Sequence, residues 1–371
     1  MAHVRKLKRK TTKNGKPVYV FQTRYVDLDR RERAQNFSTR READDFAAKV
    51  HLQVREGSFV DPQRGRVLFG AFAEEWLATK GHLKAKTLEG YRSLLREHLL
   101  PQFGKKRLNT IRAMEVDRLL ARMSERGLSA SRVRQVRQVL LSIFKSAVAD
   151  QRLARSPMQG SEFKIKGTSR QMQPLEAAEV SRMVAEMPNR YKALIYVLAT
   201  GGLRWGEATA LRRKDCNMLQ RRLEISRSAS EVGGALVFSD TKTHTSRRSY
   251  LPAFVCEQLA SHLGRYADPD PNGLVFTSEE GGPLRGSNFR SRIWRPALER
   301  AGLPASVRLH DLRHTTASLL LSNGASIKAA QAQLGHSTAT LTLDTYASLM
   351  KDEQRAASAV LDEVFKQQET Q

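Results

Sequence analysis

The stretch Leu309-His310-Asp311-Leu312-Arg313-His314 decides how the second half of this 371-residue chain is read. Its leucines set the apolar face of an expected helix over 310–322, and two histidines and an arginine stand on the first turn and a half. Downstream, Leu334-Gly335-His336 is followed ten residues later by Tyr346. Upstream stand Gly202-Leu203-Arg204-Trp205-Gly206-Glu207 and Thr241-Lys242-Thr243.

Taken together, these blocks supply what opening a phosphodiester without a metal requires. An attacking oxygen must be activated, the nonbridging oxygens neutralised, and the leaving 5′-oxygen given a proton. Tyr346 suits the nucleophile, because a long rigid ring can reach a phosphate in line and a covalent intermediate stores the bond energy for rejoining. Arg204 and Arg313 suit the clamp, since the guanidinium fork matches phosphate oxygens and stays charged. Lys242, on an expected hairpin, is placed to protonate the departing oxygen. His310 and His336 can move protons near neutral pH or donate hydrogen bonds. His310 and His314 are four apart, a spacing able to chelate a metal, but Arg313 between them would repel a cation, so no metal and no cofactor is expected.

The rest of the chain is basic. Its net charge is +25, and the first 166 residues, with 37 Lys/Arg against 17 Asp/Glu, hold 20 of those charges. Such a surface is drawn to polyanions, DNA foremost. No apolar run is long enough to span a membrane, and MAHVRKLKRK leads into no apolar segment, so a cytoplasmic protein is expected. Cys216 and Cys256 cannot form a disulfide framework and read as structural thiols.

Three domains are expected. Residues 1–60 read as a small sheet plus helix, with strands at Val4–Lys10, Val18–Val26 and Arg33–Phe37, a turn at Asn14-Gly15, and a helix opened by the capping box Thr39–Glu42. A linker is expected from Gly57 to Gly65. Residues 66–160 read as four helices, the second following Thr87 and stopping before Pro101. One face of the fourth helix bears Arg132, Arg134, Arg137 and Lys145, a single-signed surface expected to face phosphates. A second linker is expected at Lys164–Arg170. Residues 174–371 read as mixed α+β, with strands at Arg222–Arg227, Ala235–Phe238 and Arg247–Leu251. Further helices are expected at about 287–301, 326–333 and 338–345, and a tail helix from about 351 to 366.

The ordered set Arg204, Lys242, His310, Arg313, His336 and Tyr346 resembles that of the tyrosine recombinase, or phage integrase, family, over residues 174 to about 350. The resemblance implies that Glu207 supports Arg204. It makes the fold multidomain and mainly α: an arm-type DNA-binding domain, a four-helix core-binding domain and a mixed α+β catalytic domain. It implies a homotetramer on core-type and arm-type attachment DNA, strand exchange through a 3′-phosphotyrosine and a Holliday junction, a host DNA-bending factor and an excision factor. The alternatives left open are a type IB topoisomerase-like nicking-closing enzyme and an inactive DNA-binding regulator.

Overall fold

The computed structural model describes residues 2–13, 16–26, 32–56, 59–61, 63–167, 173–240 and 246–335. The Asn14-Gly15 turn, Lys242, His336, Tyr346 and the helices expected at 338–345 and 351–366 lie outside them. The chain divides into two compact units, residues 1–169 and 170–371.

The first unit opens with an antiparallel sheet of β1 (His3–Lys13), β2 (Lys16–Val26) and β3 (Glu32–Phe37), in that order. Helix α1 (Arg40–Arg55) covers one face. Its start is set as expected: the Glu42 N–H donates to Thr39 Oγ1 (3.3 Å), and the Thr39 N–H donates back to Glu42 Oε2 (3.2 Å). The Thr23 hydroxyl donates to the Ala43 carbonyl (2.9 Å), and Phe37 and Tyr25 both meet the Phe46 ring. Strand alternation therefore turns Arg5, Gln22, Arg24 and Asn36 to the opposite face, where the Gln22 amide donates to Asn36 Oδ1 (3.0 Å).

The described residues of the expected first linker are not free. Phe59 and Asp61 are buried, and Asp61 Oδ1 accepts from the Tyr25 hydroxyl (2.8 Å) and the Gln63 N–H (2.9 Å). A Cβ on Gly65 would lie 2.7 Å from the Arg152 carbonyl. A polar, Pro- and Gly-containing segment looks like a linker in sequence, yet here a buried carboxylate and a close backbone approach pin it.

Helices α2 (Phe69–Ala78), α3 (Ala85–Leu94), α4 (Leu100–Phe103), α5 (Ala113–Glu125) and α6 (Ala130–Ala149) surround a core that includes Phe69, Phe103, Leu120, Leu140 and Phe144. The second helix starts at Ala85 and does not stop before Pro101. A π-turn, Leu95–Leu99, joins α3 to α4, with the Leu100 N–H reaching back five residues to the Leu95 carbonyl. Proline normally breaks a helix by lacking its N–H and crowding the carbonyl four residues back. The wider turn accommodates both defects.

The second unit begins with α7 (Ala177–Ala185), α8 (Asn189–Gly201) and α9 (Trp205–Thr209). The β region forms two sheets. β4 (Cys216–Asn217), β5 (Arg222–Ile225) and β8 (Arg247–Tyr250) make one, in the order β4-β5-β8, while β6 (Arg227–Val232) and β7 (Ala235–Asp240) make a hairpin. The strand expected over 222–227 thus ends at Ile225, and Arg227 opens the hairpin instead. Helices α10 (Ala253–Arg265), α11 (Gly286–Phe289), α12 (Arg295–Arg300), α13 (Asp311–Ser322) and α14 (Ile327–Leu334) complete the described residues. The helix expected over 287–301 contains a second π-turn, Arg290–Trp294, again just before a proline, Pro296. The core runs from Leu194 and Leu198 through Leu259 to Trp294, whose indole N–H donates to the Val307 carbonyl (3.1 Å). Among the described residues no helix is long and apolar enough to cross a membrane.

Candidate active site

The site grows from the end of α8. Gly202 has φ +62°, and a Cβ there would lie 2.8 Å from Leu334 Cδ2, so glycine alone lets the chain turn so close to α14. Two residues on, Arg204 stands in extended conformation at the head of α9, and Glu207 in the first turn reaches back to it. Glu207 Oε2 accepts from the Arg204 N–H (3.0 Å) and Oε1 from Arg204 Nη1 (2.8 Å). The carboxylate is 4% exposed, whereas the Arg204 side chain is 42% exposed. The acid is inside and its arginine reaches the surface. Burial pushes the Glu207 pKa upward, but Arg247 and the hydrogen bonds and charge of Arg204 outweigh it, and the carboxyl is held below the usual range.

Helix α13 brings the second arginine. Arg313 is 3% exposed, and its Nη1 donates to the carbonyl of Gly202, two residues before Arg204. The Thr316 hydroxyl fixes the same approach by hydrogen-bonding to the Ala199 carbonyl (2.8 Å). His310 precedes the helix. Burial lowers its pKa, and the positive charges of Arg313 and Arg204 lower it further, which puts the ring within electrostatic reach of both guanidiniums. His314, one turn on, meets the His310 ring edge to face at 5.1 Å, and burial followed by the influence of His310 takes its pKa down to about 4. Both shifts favour the neutral imidazole.

One participant went unanticipated. Arg247, at the start of β8, donates through Nη2 to Glu207 Oε2 (2.7 Å) and through Nη1 to the Gln333 carbonyl (2.7 Å). The signal in the sequence was faint: in Arg247-Arg248-Ser249-Tyr250, alternation places Arg247 and Ser249 on one face, and Ser249 is fully buried. Gln333 is a second such residue. Its amide nitrogen donates to the carbonyls of Tyr250 (2.7 Å) and Thr200 (3.1 Å), docking the end of α14 on β8 and α8. The structure thus brings together Arg204, Glu207, His310 and Arg313.

The four basic residues of α6 do not share one face. Arg132 turns toward α3 and the π-turn, bonding Glu97 Oε2 (3.0 Å) and Ser93 Oγ (3.2 Å). Arg134 and Arg137 line a groove with Ser161–Ile165, and Arg134 Nη2 donates to the Gly167 carbonyl (3.2 Å). Lys145 lines a different groove, beside Leu141, Arg155 and Met158. Residues two apart on a helix point about 200° apart, which separates Arg132 from Arg134.

Comparison with known proteins places this geometry. The phage integrase family matches residues 173–353, and the phage integrase central domain matches residues 69–162. The chain is 30% identical over 304 residues to the prophage phiRv2 integrase of Mycobacterium tuberculosis, covering 81% of this chain and 80% of that one. Its fold resembles the Tn1549 transposon integrase solved with a circular intermediate DNA (TM-score 0.70, 21% identity, 79% of this chain and 99% of that one). It also resembles a lambda integrase tetramer bound to a Holliday junction (TM-score 0.57, 20% identity, 86% and 94%). These structures match the mainly helical, multidomain fold, and the family match and the relatives define the class: a tyrosine recombinase. The chain belongs to the phage integrase family.

Proposed function

We propose that this recombinase integrates and excises a phage or related mobile element, using Tyr346 as the nucleophile that forms a 3′-phosphotyrosine. The observation that carries the reading is the convergence of Arg204 and Arg313 on one loop, with Arg313 Nη1 on the Gly202 carbonyl and His310 beside both charges. Two preset guanidiniums neutralise the nonbridging oxygens as charge builds, which is usually the largest catalytic contribution. Glu207 fixes the conformation of Arg204. His310 donates a hydrogen bond to phosphate or exchanges a proton with it. Lys242 protonates the 5′-oxygen, and His336 assists at the phosphate. These last roles and that of Tyr346 rest on the order and residue types of the sequence.

Residues 66–160 act as the core-binding domain, with Arg134 and Arg137 as phosphate ligands in their groove; Arg132 and Lys145 are the less favoured contacts. Residues 1–60 act as the arm-binding domain, presenting Arg5, Gln22, Arg24 and Asn36 from the sheet face opposite α1 to a DNA groove. The working form is a homotetramer on two duplexes in the bacterial cytoplasm, passing through a Holliday junction, with a host DNA-bending factor and an excision factor setting direction. The lambda integrase tetramer on a Holliday junction supports that assembly.

The test is incubation with a nicked attachment site that traps cleavage. The expected product is protein joined to a 3′-phosphate, absent in Tyr346→Phe and formed equally with a chelator present. Adduct formation by Tyr346→Phe would sink the proposal. Supercoil relaxation with no product joining two sites would favour a nicking-closing enzyme.

A further inference from the structure

We infer that Arg247 is a positioning residue for strand cleavage: a single guanidinium holds Glu207, and through it Arg204, in register with the end of α14. The inference rests on Arg204 being a phosphate ligand.

The carboxylate of Glu207 is bracketed. Oε1 takes Arg204 Nη1, while Oε2 takes both the Arg204 N–H and Arg247 Nη2 at 2.7 Å. Without Arg247 both remaining bonds to the carboxylate would come from Arg204 itself, a partly exposed residue, and the soft χ3 torsion would let the pair shift together. Arg247 holds it from the interior side, with a side chain only 15% exposed. That shift is blocked, and Nη1 of Arg204 stays fixed while the rest of that guanidinium faces outward.

The other end of Arg247 sets the second boundary of the site. Nη1 donates to the Gln333 carbonyl, and the side chain runs under Gly335, where a Cβ would lie 2.2 Å from Arg247 Cδ. Gly335 has φ +65° and immediately precedes His336. The point where the chain leaves α14 is therefore measured from the same guanidinium that measures Arg204. Nη1 and Nη2 each already donate to a protein acceptor, so the role inferred for Arg247 is to position Arg204.

A purely structural role for Arg247 as glue between β8 and α14 explains less. Gln333 already supplies that joint, through the Tyr250 N–H and carbonyl and the Thr200 carbonyl. The bond from β8 to Glu207 is what Arg247 adds. Lysine cannot replace it fully, because an ammonium lacks the planar fork that reaches two acceptors on opposite sides.

The experiment measures single-turnover adduct formation by the full chain on saturating nicked attachment DNA, together with DNA affinity and melting temperature. Arg247→Met is expected to slow cleavage by about 10²-fold, the scale of losing one preset donor. Affinity should stay within about twofold, because the groups proposed to grip DNA are elsewhere. Arg247→Lys should recover about tenfold of that loss by restoring one of the two contacts. Combined with Glu207→Gln, Arg247→Met should slow cleavage no further than the worse single variant, since both act through one link. Additive losses, or equal losses of affinity and rate, overturn the inference. Should Arg247→Met fail to fold, the same cycle is run with Arg247→Lys and judged by the same additivity. An adduct surviving in Tyr346→Phe removes the functional reading itself. Wild-type cleavage by Arg247→Met, with Tyr346→Phe inactive, removes only the role of Arg247.

Discussion

The arginines of the helical unit and those around Glu207 are held in opposite ways. On the π-turn Leu95–Leu99 and α6, Arg96 is largely exposed and Arg132 shares Glu97 with it in a surface ion pair. Such pairs contribute about 0–1 kcal/mol and yield easily to another anion. In the second unit, Arg313 is buried and Arg247 half-buried, and each is fixed by a backbone carbonyl, of Gly202 and of Gln333. Solvent-facing arginines can exchange a carboxylate for a phosphate at small cost and suit the gripping of DNA of any sequence. Buried ones cannot rearrange, and suit charge that must already be in place when a transition state forms. The difference teaches that the fold leaves one residue type two degrees of freedom, each suited to a different job.

The largest expected effect would break that division outright. Arg204→Ala or Arg313→Ala should lower single-turnover cleavage by about 10²–10³-fold, with DNA affinity changed far less. A loss seen mainly in affinity, by gel shift or anisotropy, would mean that these two arginines also serve as grip. Next in size, Gly202→Ala combines a left-handed backbone with contact against Leu334, and should cost about 2–3 kcal/mol in urea unfolding. A neutral result would show that α14 yields and that the loop is not rigid.

Smaller effects are expected on the helical unit. Arg134→Ala and Arg137→Ala should each reduce the slope of log affinity against log salt by about 1, leaving cleavage at saturating DNA unchanged. Slower chemistry from either would blur the two classes. The smallest effect concerns His314. Its folded pKa of about 4 lies below the ordinary imidazole value of 6.5, so the unfolded chain takes up the proton first. The stability that neutral His314 contributes should therefore be lost as pH drops from about 6.5 toward about 4. Denaturation midpoints across that range should decline less steeply in His314→Asn; His310, His262 and His98, and the lowered carboxyls of Glu42, Glu97, Glu115 and Glu207, contribute to the remaining decline.

Much of this was legible in the chain. Thr39 and Glu42 announced α1, because a capping box is local and its spacing conveys it. Glu207 as the support of Arg204 came from the family resemblance. Arg247 was not legible, because its partners Glu207 and Gln333 lie 40 and 86 residues away. Nor does alternation say which of two adjacent arginines faces in. Asp61 was misread for a similar reason: a carboxylate beside a proline signals a turn, and only the packing against Tyr25 shows that it is buried. The α6 face failed on helix geometry, since Arg132 and Arg134 are too close in sequence to point the same way.

The two π-turns, Leu95–Leu99 and Arg290–Trp294, act as frame shifts in a helix. Each fits one more residue into a turn than its neighbours do, so every side chain downstream is rotated by about 100° from where an uninterrupted α-helix would put it. An apolar stripe counted straight through such a turn drifts off the core, although the buried residues Leu94, Leu95, Leu99 and Phe103 form one continuous surface. Deleting one residue within 95–99 would give a more regular helix and a worse protein, with Phe103 carried away from Phe69 and the ring of Pro101 driven into the preceding turn. The irregularity is what keeps the alignment.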